Sequence, residues 1–305
     1  MRILYAAKHN KGANDNEGAI AHALAMLGHQ VFPVHEDTLR DQWPSLRHAH
    51  SPDLLLFQNW RNPPALDDVN YPKAFWYMDR IDYRGDDILA HWTAHRRQWM
   101  SYVVPRVNVG FCTDGDWVAQ DRTGRLKHLM QGADERHLAQ PTAPGTKHKV
   151  LFCGSVYGRG EGRESFVREL QATYGKDFRW EQKCFGQRLR NAVQSAQIVV
   201  APDGPIGPLY TSNRAVITCS LGGFLLHPRC HIMESMYRDG HEAVFYSSRQ
   251  DLHDKINHYA ARPDERFAIQ LAGYHRTIRQ HLYRHKLDTI LSEVKARCGI
   301  TDPLD

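Results

Sequence analysis

Apolar runs of strand length alternate with helical segments through the first half of the chain. Ile20, Leu24 and Leu27 recur at helical spacing before Gly28, which predicts a helix that ends there. The apolar runs are nearly continuous, as is typical of parallel strands that are buried on both faces of a sheet. They cover residues 2–7, 30–34, 53–58, 73–78 and 107–112. This pattern predicts a doubly wound, Rossmann-like domain.

The same alternation restarts after a Pro/Gly/Thr-rich stretch at 140–149, which is predicted to be a linker. Strands are predicted at 150–155, 178–183, 198–203, 223–228 and 243–248, and helices around 163–174, around 187–197, from 212 and in three terminal segments. The predicted class is therefore α/β, with two Rossmann-like doubly wound domains in tandem that face a cleft. We expect the domains to cover residues 1–140 and 150–280, and a last helix at 281–305 to pack back on the first domain.

Composition and charge narrow the class of protein. The chain has 305 residues, 42% of them apolar, and a net charge of +5, yet residues 1–147 carry 17 basic and 17 acidic side chains. That balance argues against a continuous nucleic-acid face on the first domain. The N-terminus enters a strand directly, no run approaches a membrane span of about 20 residues, and six cysteines lie apart without a CxxC pair. We expect a cytoplasmic protein with reduced cysteines and no zinc site.

Two stretches, 91–106 and 274–286, are basic and contain no acidic residue. A solvated helix face explains each somewhat better than a phosphate-binding surface does. Six of the seven tryptophans fall within the first 117 residues. Aromatic rings beside arginines suit stacking on sugars or on unstacked nucleobases. The rings in question are Trp60 beside Arg61, and Trp92 and Trp99 around Arg96 and Arg97.

Two segments of the second domain predict anion sites. The helix that begins near Ser212 and Asn213 offers unpaired backbone N–H groups, and Arg214 adds a bidentate grip on phosphate oxygens. Gly222 and Gly223 then let the chain turn sharply into the next strand and approach a ligand closely.

The other segment, CGSVYGRGEGR at 153–163, is a glycine-rich turn after the domain's first strand, and it carries Arg159 and Arg163. It is not GxGxxG, and no acidic residue follows at the Rossmann spacing, so a nicotinamide cofactor is disfavoured. When each segment is considered alone, a tight turn explains its glycines (Gly154 in one, Gly222 and Gly223 in the other) as well as an anion site does. The two segments together favour a nucleotide diphosphate.

Residues 210–278 resemble the donor half of GT-B glycosyltransferases, and most closely the "glycosyl transferases group 1" proteins related to spore-maturation glycosyltransferases. The shared order is Ser-Asn-Arg, a short helix, Gly-Gly, an apolar strand, a Glu, Asp-Gly and a Ser-x-x-Asp-Leu helix. FCGSVYGR at 152–159 resembles the segment that opens their second domain, and HLMQGAD at 128–134 the segment that closes their first. The resemblance covers about residues 128–290, and earlier residues only in layout.

The resemblance implies a metal-independent, hexosyltransferase-like enzyme that moves a sugar from a nucleotide diphosphate sugar, expected to be a UDP-sugar such as UDP-glucose, to an acceptor hydroxyl. It implies no cofactor other than this donor as co-substrate. The diphosphate candidates are Ser155, Arg159, Arg163, Asn213 and Arg214. Tyr157 and Tyr210 would pack on sugar or base, or serve as core or rim. Gly154, Ser212, Gly222 and Gly223 complete the donor-binding set, and Glu234 has a secondary donor-side role.

The first domain is expected to hold the acceptor. Asp79 directly follows the strand at 73–78 and would deprotonate or bind the acceptor hydroxyl, unless it caps the next helix. Residues after two other strands are expected to contact acceptor or donor sugar, namely Lys8, His9, Asn59, Trp60 and Arg61. An Asp79 base suits inversion of configuration, whereas the resemblance implies retention.

The chain departs from the family at the ribose. Retaining relatives carry a Glu on the helix before the double glycine, where this chain has Ile217, and the Glu about eight residues earlier is also absent. The ribose is then bound differently, or the protein is a non-catalytic nucleotide-sugar or nucleic-acid binding protein on the same fold. Two acceptors stay open, a saccharide or cell-surface acceptor and, as in phage-type enzymes, a hydroxymethylated pyrimidine in DNA. The oligomeric state is unknown.

Overall fold

The computed structural model describes residues 1–9, 16–36, 45–46, 50–58, 66–82, 90–142, 147–156, 161–201 and 207–300. The chain forms two compact units. Unit 1 contains Met1–Asp82, Trp92–Gln131 and Tyr283–Asp305, and unit 2 contains Tyr83–His91 and Gly132–Leu282. Residues 132–142 thus belong to unit 2, where Ala139 N donates to Ser220 O at 2.9 Å.

Unit 1 is built on a parallel sheet of six strands in the order β2-β1-β3-β4-β5-β6. The strands are β1 (Arg2–Ala7), β2 (Gln30–His35), β3 (Leu54–Gln58), β4 (Lys73–Tyr77), β5 (Val109–Cys112) and β6 (Leu126–His128). Strands β1, β3, β4 and β5 are almost wholly buried, which explains their uninterrupted apolar sequence. The sequence predicted the first five. It did not predict β6, because three residues are too few for a periodic pattern.

Helices cover both faces of this sheet. They are α1 (Asn16–Met26), α2 (Thr93–Val103), α3 (Gly115–Val118) and α10 (Tyr283–Cys298). On one face Trp99 of α2 packs against Phe57 and Phe75. On the other face α1 and α10 pack together, and Tyr283 lies 5.9 Å from Trp76 between ring centroids. The terminal helix therefore completes the core of unit 1, although it is the last part of the chain.

Unit 2 repeats the architecture with five parallel strands in the order β11-β10-β9-β7-β8. They are β7 (His148–Cys153), β8 (Phe178–Glu181), β9 (Ala196–Val200), β10 (Leu225–Pro228) and β11 (Val244–Tyr246). The helices are α4 (Glu161–Tyr174), α5 (Gly186–Gln194), α6 (Arg214–Ser220), α7 (His231–Met236), α8 (Arg249–Ala260) and α9 (Pro263–Gln280). Two tandem Rossmann-like parallel-sheet units confirm the predicted fold class.

All six cysteines are free, and five of them are buried. Within the described part of the chain, no helix is both long and apolar enough to cross a bilayer.

Candidate functional site

The strand order of unit 2 defines where a ligand can bind. From β7 the chain moves to β8 on one side, whereas β9, β10 and β11 extend the sheet on the other side. Such a reversal leaves a crevice at the carboxyl ends of the two central strands, here β7 and β9. Cys153 ends β7, and Gly154 is the first residue beyond it. The glycine-rich segment predicted from the sequence therefore begins at the crevice.

Arg214, the first residue of α6, reaches this point from a distant part of the chain. Its guanidinium lies 5.5 Å from the centroid of the Phe152 ring. A Cβ built on Gly154 would stand 2.9 Å from Arg214 Nη2 and 2.8 Å from Phe152 Cζ. Any side chain at position 154 would therefore displace either the guanidinium or the ring. The structure brings together two donor-site candidates, Gly154 and Arg214, that are sixty residues apart in sequence.

Hydrogen bonds hold the backbone around Gly154 in place. Its N–H donates to Glu181 O at 2.9 Å, and its carbonyl accepts from Trp180 Nε1 at 2.8 Å. Arg163 Nη1 donates to Ser155 O at 3.1 Å. Ser155 is exposed, whereas Arg163 is half-buried at the start of α4. Two more candidates, Ser155 and Arg163, thus lie together beside Gly154, and the hydrogen bond from Arg163 stabilises the backbone at Ser155.

A carboxylate flanks the same edge of the sheet. Glu181, the last residue of β8, is buried and forms ion pairs with Arg179 and Arg188. Burial alone would raise the pKa of Glu181, but hydrogen bonds and charge from the two arginines outweigh it and lower that pKa below its ordinary value of 4.5. Sequence reasoning missed this cluster, because the strand predicted at 178–183 placed Glu181 in its interior, whereas the observed strand ends at Glu181.

Helix α6 begins at Arg214, directly after the predicted start near Ser212 and Asn213. The helix has seven residues, and Asn213 at its N-cap has a right-handed helical backbone without a capping hydrogen bond from its side chain. A helix this short has a weak dipole, so Arg214 supplies most of the positive charge. Ser212, Asn213 and Tyr210 are each half-buried just before it.

Gly222 and Gly223 lie at the other edge of the sheet, because they precede β10 and do not follow it. Gly222 has φ +73°, and a Cβ there would stand 2.6 Å from Pro141 N. A Cβ on Gly223 would stand 2.6 Å from Val193 Cγ1. Both glycines are therefore explained by a tight turn packed against the protein itself, and not by close approach to a ligand.

Glu234 is exposed in the first turn of α7. It accepts a hydrogen bond from Arg229 Nη1 at 2.5 Å, and Arg229 also pairs with Asp239. Arg229 follows β10 directly, so this network lies at the carboxyl edge of the sheet. The donor-side role of Glu234 stays a prediction.

In unit 1 the strand order places the corresponding crevice between β1 and β3. Lys8 and His9 follow β1, and both are half-buried. His9 has φ +45°, and its Nε2 donates to Tyr5 O at 3.1 Å. Since Nε2 then carries the proton in the neutral ring, Nδ1 is the available acceptor.

Asp79 follows β4 and is exposed. Its carbonyl accepts from Thr113 Oγ1 at 3.3 Å, and Asp114 holds the next turn by accepting from Ile81 N at 2.8 Å. The exposed carboxylate is thus carried on a backbone that is tied to the end of β5. Five further candidates lie outside the described residues: Asn59, Trp60, Arg61, Tyr157 and Arg159.

Residues 145–292 match the model of a family described as "Glycosyl transferase-like". The fold matches solved structures at low sequence identity. Sucrose-phosphate synthase from Thermosynechococcus elongatus has a TM-score of 0.69 at 11% identity, covering 97% of this chain and 99% of that one. HepE from Anabaena, in complex with UDP and glucose, has a TM-score of 0.64 at 13% identity, covering 97% and 100%. The chain has the GT-B fold of glycosyltransferases.

Another GT-B neighbour is an alpha-glucosyltransferase in complex with UDP and a 13-mer DNA that contains a central A:G mismatch. It has a TM-score of 0.64 at 7% identity and covers 97% of this chain and 100% of that chain. No curated protein sequence matches the chain.

The two basic stretches have different surroundings in this GT-B chain. In 91–106, Arg97 forms two hydrogen bonds to Asp82, at 2.8 and 2.7 Å, and Arg106 Nε lies 3.0 Å from Asp67 Oδ2. In 274–286, Tyr274 is buried, and His281 donates to Met236 O at 3.1 Å. In the first stretch Arg97 and Arg106 are therefore charge-compensated, and the second stretch buries Tyr274 and His281 while Arg279 stays exposed.

Among the described residues, no three His, Cys, Asp or Glu side chains are grouped so that they could hold a metal ion.

Proposed function

We propose that the protein is a glycosyltransferase that moves a sugar from a nucleotide diphosphate sugar to an acceptor hydroxyl. The observation that carries the proposal is the meeting of Arg214 and Gly154 at the crevice of unit 2. The match to the glycosyl transferase-like family spans both residues. UDP is the proposed nucleotide, because UDP is bound in HepE and in the alpha-glucosyltransferase.

Glycosyl transfer from a nucleotide diphosphate sugar requires positive charge near the diphosphate leaving group. The bond between the anomeric carbon and the diphosphate oxygen breaks, and the acceptor oxygen bonds to that carbon. Negative charge develops on the diphosphate, and preorganised donors that face this charge lower the barrier. Arg214 offers a guanidinium fork that suits phosphate oxygens, and half-buried Gly154 with exposed Ser155 offers backbone close to it. We propose that this cationic grip acts without a metal ion and that the donor is the sole co-substrate.

Asp79 is the proposed base for the acceptor hydroxyl. Its carboxylate is exposed at the carboxyl edge of the unit 1 sheet, where ligands of doubly wound domains bind. Lys8 and His9 follow another strand of the same sheet and are proposed to contact the acceptor or the donor sugar.

An uncharged saccharide is the acceptor that the charges of the stretch 91–106 favour. Arg97 and Arg106 are paired with Asp82 and Asp67, which leaves little uncompensated charge for a phosphate backbone. Trp92 remains 43% exposed beside His95, at 5.9 Å between ring centroids, and offers an aromatic surface to a sugar. DNA with a hydroxymethylated pyrimidine is the second candidate, which the DNA-bound alpha-glucosyltransferase supports.

A thermal-shift screen of nucleotides and nucleotide sugars tests the donor site. Ligands stabilise the state that they bind, by an amount set by concentration over Kd. We expect UDP and a UDP-sugar to raise Tm in the wild type and not in Arg214→Ala. Arg168→Ala is the matched control, because Arg168 is exposed on α4 and forms an ion pair with Glu164 of the same helix at 2.5 Å. A chain that no nucleotide stabilises would refute the proposal.

Turnover separates an enzyme from a binding protein. We expect slow release of UDP from a UDP-sugar without acceptor, and faster release with the right acceptor class, whether oligosaccharides or duplexes that contain hydroxymethylated pyrimidines. UDP binding without any release would instead indicate a nucleotide-sugar binding protein on the same fold. Salt-dependent DNA binding that no donor affects would indicate a nucleic-acid binder.

A further inference from the structure

A buried histidine, His227, contacts the segment that immediately precedes Arg214. His227 in β10 is fully buried, and so is Thr211, which comes just before Ser212, Asn213 and Arg214. His227 Nε2 and Thr211 Oγ1 are 3.0 Å apart. On its other side, His227 Nδ1 lies 2.7 Å from Pro228 O. Burying an imidazole and a hydroxyl costs stability unless both are hydrogen-bonded, and here each satisfies the other.

The two contacts determine the tautomer. A carbonyl oxygen only accepts, so Nδ1 of His227 carries the proton that goes to Pro228 O. In the neutral ring Nε2 is then an acceptor, and the Thr211 hydroxyl must donate to it. The direction of both hydrogen bonds is therefore fixed by Pro228, a residue of the same strand.

The histidine thereby connects the sheet to the loop that carries Arg214. β10 lies between β9 and β11, and His227 pairs in register with Phe245. The segment before Thr211 has further anchors: Ile232 N donates to Pro208 O at 3.0 Å, and Tyr210 N to Gly207 O at 3.3 Å. Arg214 lies only three residues beyond Thr211, so a shift of Thr211 moves the guanidinium relative to Gly154.

We propose that His227 and Thr211 are positioning residues of the donor site, which hold Arg214 at the crevice through the hydrogen bond from Thr211 Oγ1 to His227 Nε2. This inference rests on the proposed function, because it assigns a role in binding the diphosphate. Neither residue is proposed to touch the donor.

A matched pair of substitutions isolates the hydrogen bond. Thr211→Val keeps the shape and removes the hydroxyl, whereas Thr211→Ser keeps the hydroxyl and removes a methyl group. The probe is UDP, with Kd measured by isothermal titration calorimetry. We expect Thr211→Val to raise Kd about three- to tenfold, the range of one hydrogen bond, and Thr211→Ser to bind UDP nearly as the wild type does.

Thr277→Val controls for general destabilisation. Thr277, in α9, is also fully buried. Its hydroxyl contacts Tyr237 Oη and Gly273 O, each at 2.8 Å. This variant should lower Tm and leave the Kd for UDP unchanged. A merely structural role for Thr211 would give the same result, a lower Tm with an unchanged Kd.

Nitrogen-15 spectra of the histidine rings in the wild-type protein give a test that does not depend on measuring UDP binding by a variant. The His227 signals, assigned by their absence in His227→Gln, should show protonated Nδ1 and unprotonated Nε2. A proton on Nε2, or equal Kd values for Thr211→Val and wild type, would overturn the inference. Failure of wild type to bind UDP would instead remove the proposed function, so the two failures are distinguishable.

Discussion

Arg214 Nη2 lies where a side chain on Gly154 would have to be, 2.9 Å from the Cβ position of that glycine. Gly154 and the start of α6 therefore form a single site, and a side chain at 154 would have to displace the Arg214 guanidinium or the Phe152 ring.

Gly154→Ala should weaken the binding of UDP. The new methyl group must displace Arg214 or Phe152, and a lost hydrogen bond to a charged group costs about 1.5–3 kcal/mol, which corresponds to a Kd at least about tenfold higher. Calorimetric titration with UDP measures the change. Gly162→Ala is the control, because nothing lies within 4 Å of a Cβ at that position. Equal UDP affinity in both variants would contradict the expectation that a side chain at position 154 displaces Arg214 from the donor.

Asp79→Asn should separate donor binding from transfer. If Asp79 removes the acceptor proton, the amide should lower kcat by about a hundredfold or more, while the Kd for UDP stays at the wild-type value. Steady-state kinetics with the acceptor found in the screen measure kcat, and a UDP titration measures Kd. Asp68→Asn, an exposed aspartate elsewhere in unit 1, serves as the control. A parallel loss of UDP affinity would place Asp79 at the donor instead.

Glu181→Gln should make stability less dependent on pH. The pKa of Glu181 is lower in the folded protein than its ordinary value of 4.5, because Arg179 and Arg188 outweigh the effect of burial. A lowered carboxyl pKa adds stability above the unfolded pKa, and this is lost as pH falls through the folded value. Thermal melts at pH 7 and pH 3.5 should therefore show a large loss of Tm in the variant at pH 7 and a smaller one at pH 3.5. A deficit that is the same at both pH values would contradict the role of the ion pairs.

Gly273→Ala should destabilise unit 2. A Cβ on Gly273, in the middle of α9, would lie 2.2 Å from Glu242 O, and a backbone oxygen cannot move aside as a side chain can. Overpacking of this kind costs about 1–3 kcal/mol, although alanine favours a helix. Urea unfolding measures the loss. Gly162→Ala, in the exposed part of α4, should be neutral or stabilising, and similar results for both variants would refute the argument.

The strands show what hydrophobic pattern alone can predict. β1, β3, β4 and β7 are buried on both faces along most of their length, so their sequences are mainly apolar and are recognised without tertiary information. β6, with exposed Lys127 between Leu126 and His128, and the six-residue α7 carry no such signal and were not predicted. Their formation depends on neighbouring elements more than on local preference.

The site was predicted only in part, because some of its contacts depend on elements that are distant in sequence. Loop residues at strand ends can be chosen from sequence, because parallel strands deliver them to one edge of the sheet. Gly222 and Gly223 were assigned to the donor, yet the sequence does not say that they pack on Pro141 and Val193 at the opposite edge. Thr211 and His227 gave no signal, since a threonine and a histidine sixteen residues apart become partners only when β10 is in place.

The sequence by itself determined two parallel-sheet units and a set of loops that suit a diphosphate. Strands buried on both faces are apolar and tight turns are rich in glycine, so both are recognisable from the local sequence. The tertiary structure decided which of those loops meet. The contact of Arg214 with Gly154, the pairing of Glu181 with Arg188 and the hydrogen bond between Thr211 and His227 each join residues from different elements or loops. Their distances follow from strand order and register, which no single segment of the chain encodes.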